Sequence, residues 1–181
     1  SKALRVSAAR WRDEGKPETV KARPYTKVFL CYLENKVLCE LAPAADRLLA
    51  GRNRIAAGAS IRNDDCRNTP IGRCEAIVSE DGQHLRAVRT RAAQTKSIAR
   101  HWVCSSQGVT PAGDGWLEAT MNLAREAHME GLHKDDHFGK KASNDRCGWT
   151  SEVATYASDL AHMRTMMKDG NFSQQEIAEY K

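Results

Sequence analysis

The stretch CEAIVSEDGQHLRAVRT, which runs from Cys74 to Thr90, decides the fold class. Two strand-like runs, Cys74 to Val78 and His84 to Thr90, flank the polar sequence Ser79-Glu80-Asp81-Gly82. Asp-Gly is among the strongest short hairpin signals, because both central positions of the turn need positive φ. The sequence therefore predicts an antiparallel β-hairpin over this stretch.

A second hairpin is predicted upstream of the first. The apolar runs Val28 to Leu33 and Val37 to Leu41 lie on either side of Glu34-Asn35, and asparagine adopts positive φ at little cost. The following segment, Pro43 to Leu49, is typical of a short helix.

The residues before this hairpin differ in composition from the rest of the chain. Residues 1–24 are polar and basic, and Pro24 biases Arg23 away from the helical region of backbone space. We interpret residues 1–24 as a basic N-terminal arm and residues 25–181 as a single domain, since 181 residues suffice for one ordinary domain.

The second half of the chain is typical of helices. An apolar stripe from Trp116 to Ala127 at spacings of three to four predicts an amphipathic helix that ends near Gly131. A second stripe predicts a helix over about 150–168 with Gly170 as its end, and Ser173-Gln-Gln-Glu176 is a capping box that starts a third helix. The expected fold class is α+β, with two β-hairpins from the N-terminal half packed against two or three C-terminal helices.

The composition indicates the type of protein and the cellular compartment in which we expect it. No apolar run reaches the roughly 18 to 20 residues that a bilayer span needs, so we expect a soluble protein without a membrane partner. Ser1 to Arg5 lacks the features of a secretory signal, although a signal could have been removed. The six cysteines include no CxxC pair, which favours reduced thiols and an intracellular location, cytoplasmic or nucleoid-associated. A secreted form with disulfides stays open.

Positive charge is concentrated in the first hundred residues. Residues 1–100 carry 20 Lys and Arg against 11 Asp and Glu, whereas residues 101–181 carry 8 against 12. Between Asp81 and Asp114 there is no acidic residue. The cations of this acid-free stretch, which we call the basic strip, are Arg86, Arg89, Arg91, Lys96 and Arg100.

The basic strip favours nucleic acid, DNA or RNA, as the partner. Clustered Lys and Arg gain free energy by releasing counterions from phosphates, and His101 and Trp102 offer stacking surfaces beside them. Two alternatives stay open. The strip can be an ordinary solvated surface neutralised by the acidic second half, or it can bind an acidic protein partner in a larger assembly.

The C-terminal tail has the most specific local pattern. The run Leu160 to Arg164, then Gly170, then Ser173-Gln-Gln-Glu-Ile-Ala178 resembles the opening of a helix-turn-helix unit. The resemblance implies a DNA-reading function, but the recognition helix would lie beyond Lys181. A plain pair of helices packed on the core is the alternative.

The histidines of the second half suggest a metal site. The candidate ligands of a zinc ion are His128, His133, His137 and Cys147, and on a helix His133 and His137 would share a face. The region resembles the histidine half of the zinc-binding domain of retroelement integrases, whose CxxC half is missing here. Surface histidines are the alternative, and the expected function requires no cofactor.

A thiol enzyme is the alternative function. Cys147-Gly148-Trp149 precedes a predicted helix whose dipole would favour the thiolate, and His84 on the upstream strand would be the base. This order is similar to that of ubiquitin-like-protein proteases and effector acetyltransferases, which implies peptide cleavage or acyl transfer. Those families place an acidic residue after the histidine and a glutamine before the cysteine, and this chain has neither at the matching positions.

Other catalytic classes lack their motifs. The sequence contains no glycine-rich phosphate loop, no GxSxG elbow and no carboxylate cluster with metal-binding spacing. Nucleotide hydrolysis and two-metal nuclease chemistry are therefore unsupported, and nucleic-acid binding is the function that we expect.

Overall fold

The computed structural model of the protein describes residues 25–90, 102–128 and 138–180. The predicted basic arm, residues 1–24, lies outside the described residues. The helices are α1 (Lys27–Leu38), α2 (Ala44–Gly58), α3 (Asn63–Arg67), α4 (Trp116–His128), α5 (Tyr156–Asp169) and α6 (Gln174–Glu179). The strands are β1 (Cys74–Val78), β2 (Leu85–Thr90), β3 (Val103–Ser105), β4 (Lys140–Ala142) and β5 (Trp149–Val153). None of the described helices is long and apolar enough to cross a bilayer.

The hairpin predicted from Val28 to Leu41 is wrong, because Lys27–Leu38 forms α1. Phe29, Leu33 and Val37 recur every four residues and are all buried, which is the spacing of one helical face. Thr26 caps the helix, since its hydroxyl accepts a hydrogen bond from the Phe29 amide at 3.2 Å. The Glu34-Asn35 pair that suggested a turn lies inside the helix, and Glu34 is buried.

The second helix, α2, is much longer than the segment predicted from Pro43 to Leu49, and it runs through the centre of the core. Nearly every residue from 45 to 56 is buried, polar ones included. At Gly51 the helix approaches α4 so closely that an added Cβ atom would overlap the Thr120 side chain. The helices α2 and α4 can therefore pack this closely only because residue 51 is a glycine.

The hairpin from Cys74 to Thr90 is confirmed. β1 and β2 pair antiparallel with Cys74 opposite Thr90 and Ile77 opposite Ala87. The turn differs from the expected one, because residues 79–84 separate the strands and only Gly82 of the Asp-Gly pair has positive φ, at 71°. β3 adds to the free side of β2, so that the order of the sheet is β1-β2-β3. A separate two-stranded sheet, β4-β5, lies where the second C-terminal helix had been expected to begin. The α+β class is confirmed.

The C-terminal helices follow the sequence patterns closely. α4 has the predicted stripe, and Gly170 ends α5. α5 begins at Tyr156, later than predicted, because Thr155 is its N-cap and Ser158 completes a capping box. The capping box at Ser173 and Glu176 is confirmed at the start of α6.

Two buried charges of α2 fix the later segments of the chain. Asp46, which is 2% exposed, accepts hydrogen bonds from His162 Nε2 of α5 at 2.6 Å and from Arg146 of the β4-β5 turn at 3.2 Å. Arg52 forms an ion pair with Asp159 of α5 at 2.7 Å and donates to the Phe138 carbonyl at 3.2 Å. The helix therefore positions α5 and the β4-β5 turn through polar contacts as well as packing.

A third buried charge of α2 joins the helices around it. Arg54 Nε donates to Glu34 Oε1 at 2.7 Å, and both side chains are at most 10% exposed. Glu34 also accepts from the Val109 amide at 2.9 Å, and the Arg54 guanidinium lies 4.7 Å from the centre of the Trp116 ring. This ion pair ties α1, α2, α4 and the loop before α4 together.

We expect Glu34→Ala to destabilise the protein by about 3–5 kcal/mol, because it leaves the buried Arg54 guanidinium without its counter-charge. Denaturant unfolding measures this loss. The matched control is Glu152→Ala, which breaks an exposed ion pair to Lys141 and should cost less than about 1 kcal/mol. Equal losses in the two variants would contradict the importance of the buried pair.

Candidate functional site

The two described members of the basic strip that lie on β2 have different places in the sheet. Arg89 lies opposite Glu75 of β1, whereas Arg86 lies at a register shift, because Ala87 faces Ile77 and Leu85 faces Val78. Both side chains are exposed. Such an irregularity interrupts the alternation of side chains along the strand, so the strip is not a single regular row of cations.

Arg86 and Arg89 also have different electrostatic surroundings. Arg86 lines a shallow depression at the hairpin turn together with Glu80 and Asp81. Arg89 donates from Nε to Glu75 Oε2 across the sheet at 2.8 Å, yet 58% of its side chain stays exposed. Both arginines therefore lie near carboxylates, and Arg89 is the one at the end of the sheet next to Thr90, whereas Arg86 is close to the hairpin turn.

The other cations of the strip, Arg91, Lys96 and Arg100, lie outside the described residues, as does His101. The chain leaves the described sheet after Thr90 and re-enters it at Trp102. These two residues are joined directly, because the Thr90 amide donates to the Trp102 carbonyl at 3.1 Å. The two residues that flank 91–101 therefore lie side by side at one end of the three-stranded sheet.

Trp102 does not offer the stacking surface that the sequence suggested. Its side chain is 5% exposed and belongs to the hydrophobic core, and its ring N–H donates to Thr69 Oγ1 at 3.3 Å. The residue precedes β3 and faces inward with Cys104, in agreement with strand alternation. Its role is to anchor the return of the chain to the sheet.

One cation near this end of the sheet was missed by the sequence analysis. Arg125 lies on the exposed side of α4, and its charge acts on the Cys74 thiol, which is opposite Thr90 in the sheet. Burial raises the pKa of Cys74 to about 12, and the Arg125 guanidinium opposes this rise. The polar side of the α4 pattern identified Arg125 as exposed, but only the fold places it near the sheet.

The thiol-enzyme arrangement is not assembled among the described residues. Cys147 lies in the β4-β5 turn and precedes strand β5, so the expected helix N-terminus at this cysteine is wrong. Its thiol donates to the Asp145 carbonyl of its own turn at 3.5 Å. His84 lies beside the turn of the other sheet, and no hydrogen bond joins it to Cys147.

Most of the predicted zinc ligands are not among the residues that the structure describes. His133, His137 and the side chain of His128 are outside the described residues, so this prediction stays open. Within residues 25–90, 102–127 and 138–180, no group of three or more His, Cys, Asp or Glu side chains could hold a metal ion.

The helix-turn-helix-like tail packs on the core as a pair of helices. Ile177 of α6 is buried, the Tyr180 hydroxyl donates to Asn53 Oδ1 of α2 at 2.6 Å, and Phe172 meets Tyr32 edge to face. The exposed side of α6 carries Glu176 and Glu179 and no cation. These contacts favour the plain helix pair over a DNA-reading unit.

The six cysteines are all free thiols in three environments, of which Cys31 and Cys74 occupy the partly buried one. Cys66 and Cys104 are buried, and burial raises the pKa of Cys66 to about 12 and that of Cys104 to about 11. Cys39 and Cys147 are exposed. Because the thiolate is the reactive form, the buried pair is chemically inert in the folded protein.

We expect iodoacetamide at about pH 8 to modify Cys39 and Cys147 in the native protein and to spare Cys66 and Cys104 until the protein is unfolded. Peptide mass spectrometry measures the extent at each site. Rapid native modification of Cys66 or Cys104 would show that the core opens readily around them.

The same pKa shifts predict a loss of stability in alkali. Above the ordinary thiol pKa of 9.0, the unfolded chain releases protons that Cys66, Cys74 and Cys104 retain in the folded state. The stability due to these three protons is complete well below pH 9.0 and is lost as pH rises toward the folded pKa values of about 11 to 12, by up to about 1.4 kcal/mol per pH unit for each thiol. Denaturant unfolding at pH 9 and 10 measures the slope, and Cys104→Ala should reduce it. An unchanged slope in this variant would contradict the assignment.

Comparison with known proteins gives no match to a family model, to a curated protein or to a solved structure.

Proposed function

We propose that the protein binds nucleic acid through phosphate contacts at the end of the sheet where residues 91–101 depart and return. The proposed contacts are made by Arg89, Arg91, Lys96, Arg100 and Arg125. The observation that carries the proposal is the direct bond between Thr90 and Trp102, which anchors both ends of this acid-free connection on a packed sheet.

The described surroundings of the anchor support this proposal. Arg89 is the residue before Thr90, and Arg125 acts on Cys74, the cross-strand neighbour of Thr90. Both arginine side chains are exposed. Three further cations are supplied by the sequence of residues 91–101, which has no acidic residue to neutralise them. Such a set of cations gains free energy by releasing counterions from a phosphate backbone.

The proposal differs from the sequence-based prediction at two residues. Arg86 is left out because it lies with Glu80 and Asp81 at the opposite end of the hairpin. Trp102 is left out as a stacking group because it is buried. Phosphate contacts without base contacts position a protein but carry no sequence information, so we expect binding with little sequence preference. The proposed function also favours a cytoplasmic or nucleoid location.

We expect Arg91→Ala with Arg100→Ala to weaken binding to a short DNA duplex about uniformly across sequences. The slope of log affinity against log salt should become smaller by about 2, because each lost phosphate contact changes it by about 1. Fluorescence anisotropy at several salt concentrations measures both quantities. An RNA duplex and an acidic polypeptide in parallel titrations identify the preferred polyanion.

The matched control is Arg62→Ala with Lys168→Ala, which removes one exposed cation just before α3 and one on α5 and changes the net charge equally. It should leave the salt slope nearly unchanged. If the two double variants had equal effects, binding would depend on net charge alone, and the proposed site would be excluded. Tighter binding of the acidic polypeptide than of nucleic acid would favour a protein partner.

A further inference from the structure

A small pocket lies where α2, α3 and the first turn of α5 meet, beside the end of α6. Most of the side chains that line it are polar, and they include Arg52, Asn53, Asn63, Arg67, Asp159 and Tyr180. The charged members of the lining are two arginines and one aspartate, so the pocket has one more positive charge than negative. The residues proposed to contact nucleic acid do not line it.

The two arginines of the pocket share a single carboxylate. Arg52 Nη2 lies 2.7 Å from Asp159 Oδ2, and Arg67 Nη1 lies 3.7 Å from the same oxygen, which is too long for a hydrogen bond. Both arginine side chains are mostly buried. The other ion pair of Arg67 is with Asp64, whose side chain is 57% exposed, so that water weakens the attraction. Arg67 is therefore the less fully neutralised of the two cations.

Asn63 is a second loosely bonded donor on the same side of α3. It lies four residues before Arg67, a spacing that places two side chains on one helical face. Its Nδ2 donates to the Tyr25 hydroxyl at 3.4 Å, which is a long hydrogen bond. The polar groups deeper in the pocket are better satisfied, since the Tyr180 hydroxyl donates to Asn53 Oδ1 at 2.6 Å.

We propose that this pocket binds a phosphate group, held by Arg67, Asn63 and Arg52. The negative charge of a phosphate balances the excess positive charge of the lining. Arginine is well suited to phosphate oxygens, and a buried cation gains most from such a partner. The pocket is small, so the ligand is inorganic phosphate or the phosphate group of a molecule whose remainder lies outside it.

The Asp159 carboxylate competes with the proposed ligand, because it is the acceptor that both arginines now share. Asp159→Asn removes this charge without changing the size of the side chain. Arg52 and Arg67 then lack their common counter-charge, and phosphate can supply it. We expect this variant to be less stable than the wild type without phosphate and to bind phosphate about tenfold more tightly.

Thermal unfolding at rising concentrations of inorganic phosphate, with sodium chloride keeping the ionic strength constant, measures binding through the stabilisation of the folded state. We expect saturation in the wild type with a dissociation constant of about 1 to 10 mM. Arg67→Gln keeps the methylene groups that pack on Gly139 and should raise this constant about tenfold or more. The matched control is Arg62→Gln, which removes an exposed arginine just before α3 that does not line the pocket. It should leave the constant unchanged.

Three results would overturn the proposal. They are the absence of a saturable effect of phosphate on the wild type, equal effects of Arg67→Gln and Arg62→Gln, and binding to Asp159→Asn that is no tighter than to the wild type. Circular dichroism verifies the fold of each variant. A small phosphate monoester and an oligonucleotide with and without a 5′-phosphate, titrated in parallel, distinguish a small-molecule ligand from the end of a nucleic acid. The pocket is tested with inorganic phosphate alone, so its failure is separate from that of the proposed nucleic-acid site.

Discussion

The buried ion pair between Glu34 and Arg54 is the interaction on which the arrangement of the core depends. It joins the first two helices, and it extends to the loop before α4 through the Val109 amide. Removing two charges from water is costly, and the cost is offset only when the remaining donors and acceptors are also satisfied. Here they are satisfied by backbone groups and by the Trp116 ring, so each element depends on the correct placement of the others.

The same logic extends along α2. Asp46, Arg52 and Arg54 are buried charges on this helix, and each contacts a different set of elements. A purely apolar helix could pack in several rotations with similar burial. Buried charges that each have two specific partners favour one of these arrangements, because a rotated helix would leave them unpaired. Glu34 also fixes the loop before α4, because it accepts a hydrogen bond from the Val109 amide. This loop follows β3 and so connects the sheet that bears the proposed binding surface to the helices.

Sequence patterns correctly predicted those elements that are set by interactions between residues close in sequence. The Asp-Gly turn, the stripe of α4 and the capping box at Ser173 are each set by residues close in sequence. The segment from 27 to 38 was mistaken because a continuous apolar run satisfies both strand and helix periods, and its burial against α2 decides between them. At the candidate site, the sequence grouped Arg86 with Arg89, and the register of the hairpin separates them. The proximity of Arg125 and the burial of Trp102 arise from tertiary packing, which no local pattern contains.

The close approach of α2 and α4 at Gly51 has a consequence for how this fold can evolve. Any side chain at position 51 needs the space of the Thr120 side chain, whose hydroxyl bonds to the Trp116 carbonyl at 2.8 Å. The two positions therefore cannot drift separately. In descendants of this sequence, a larger residue at 51 requires a smaller one at 120.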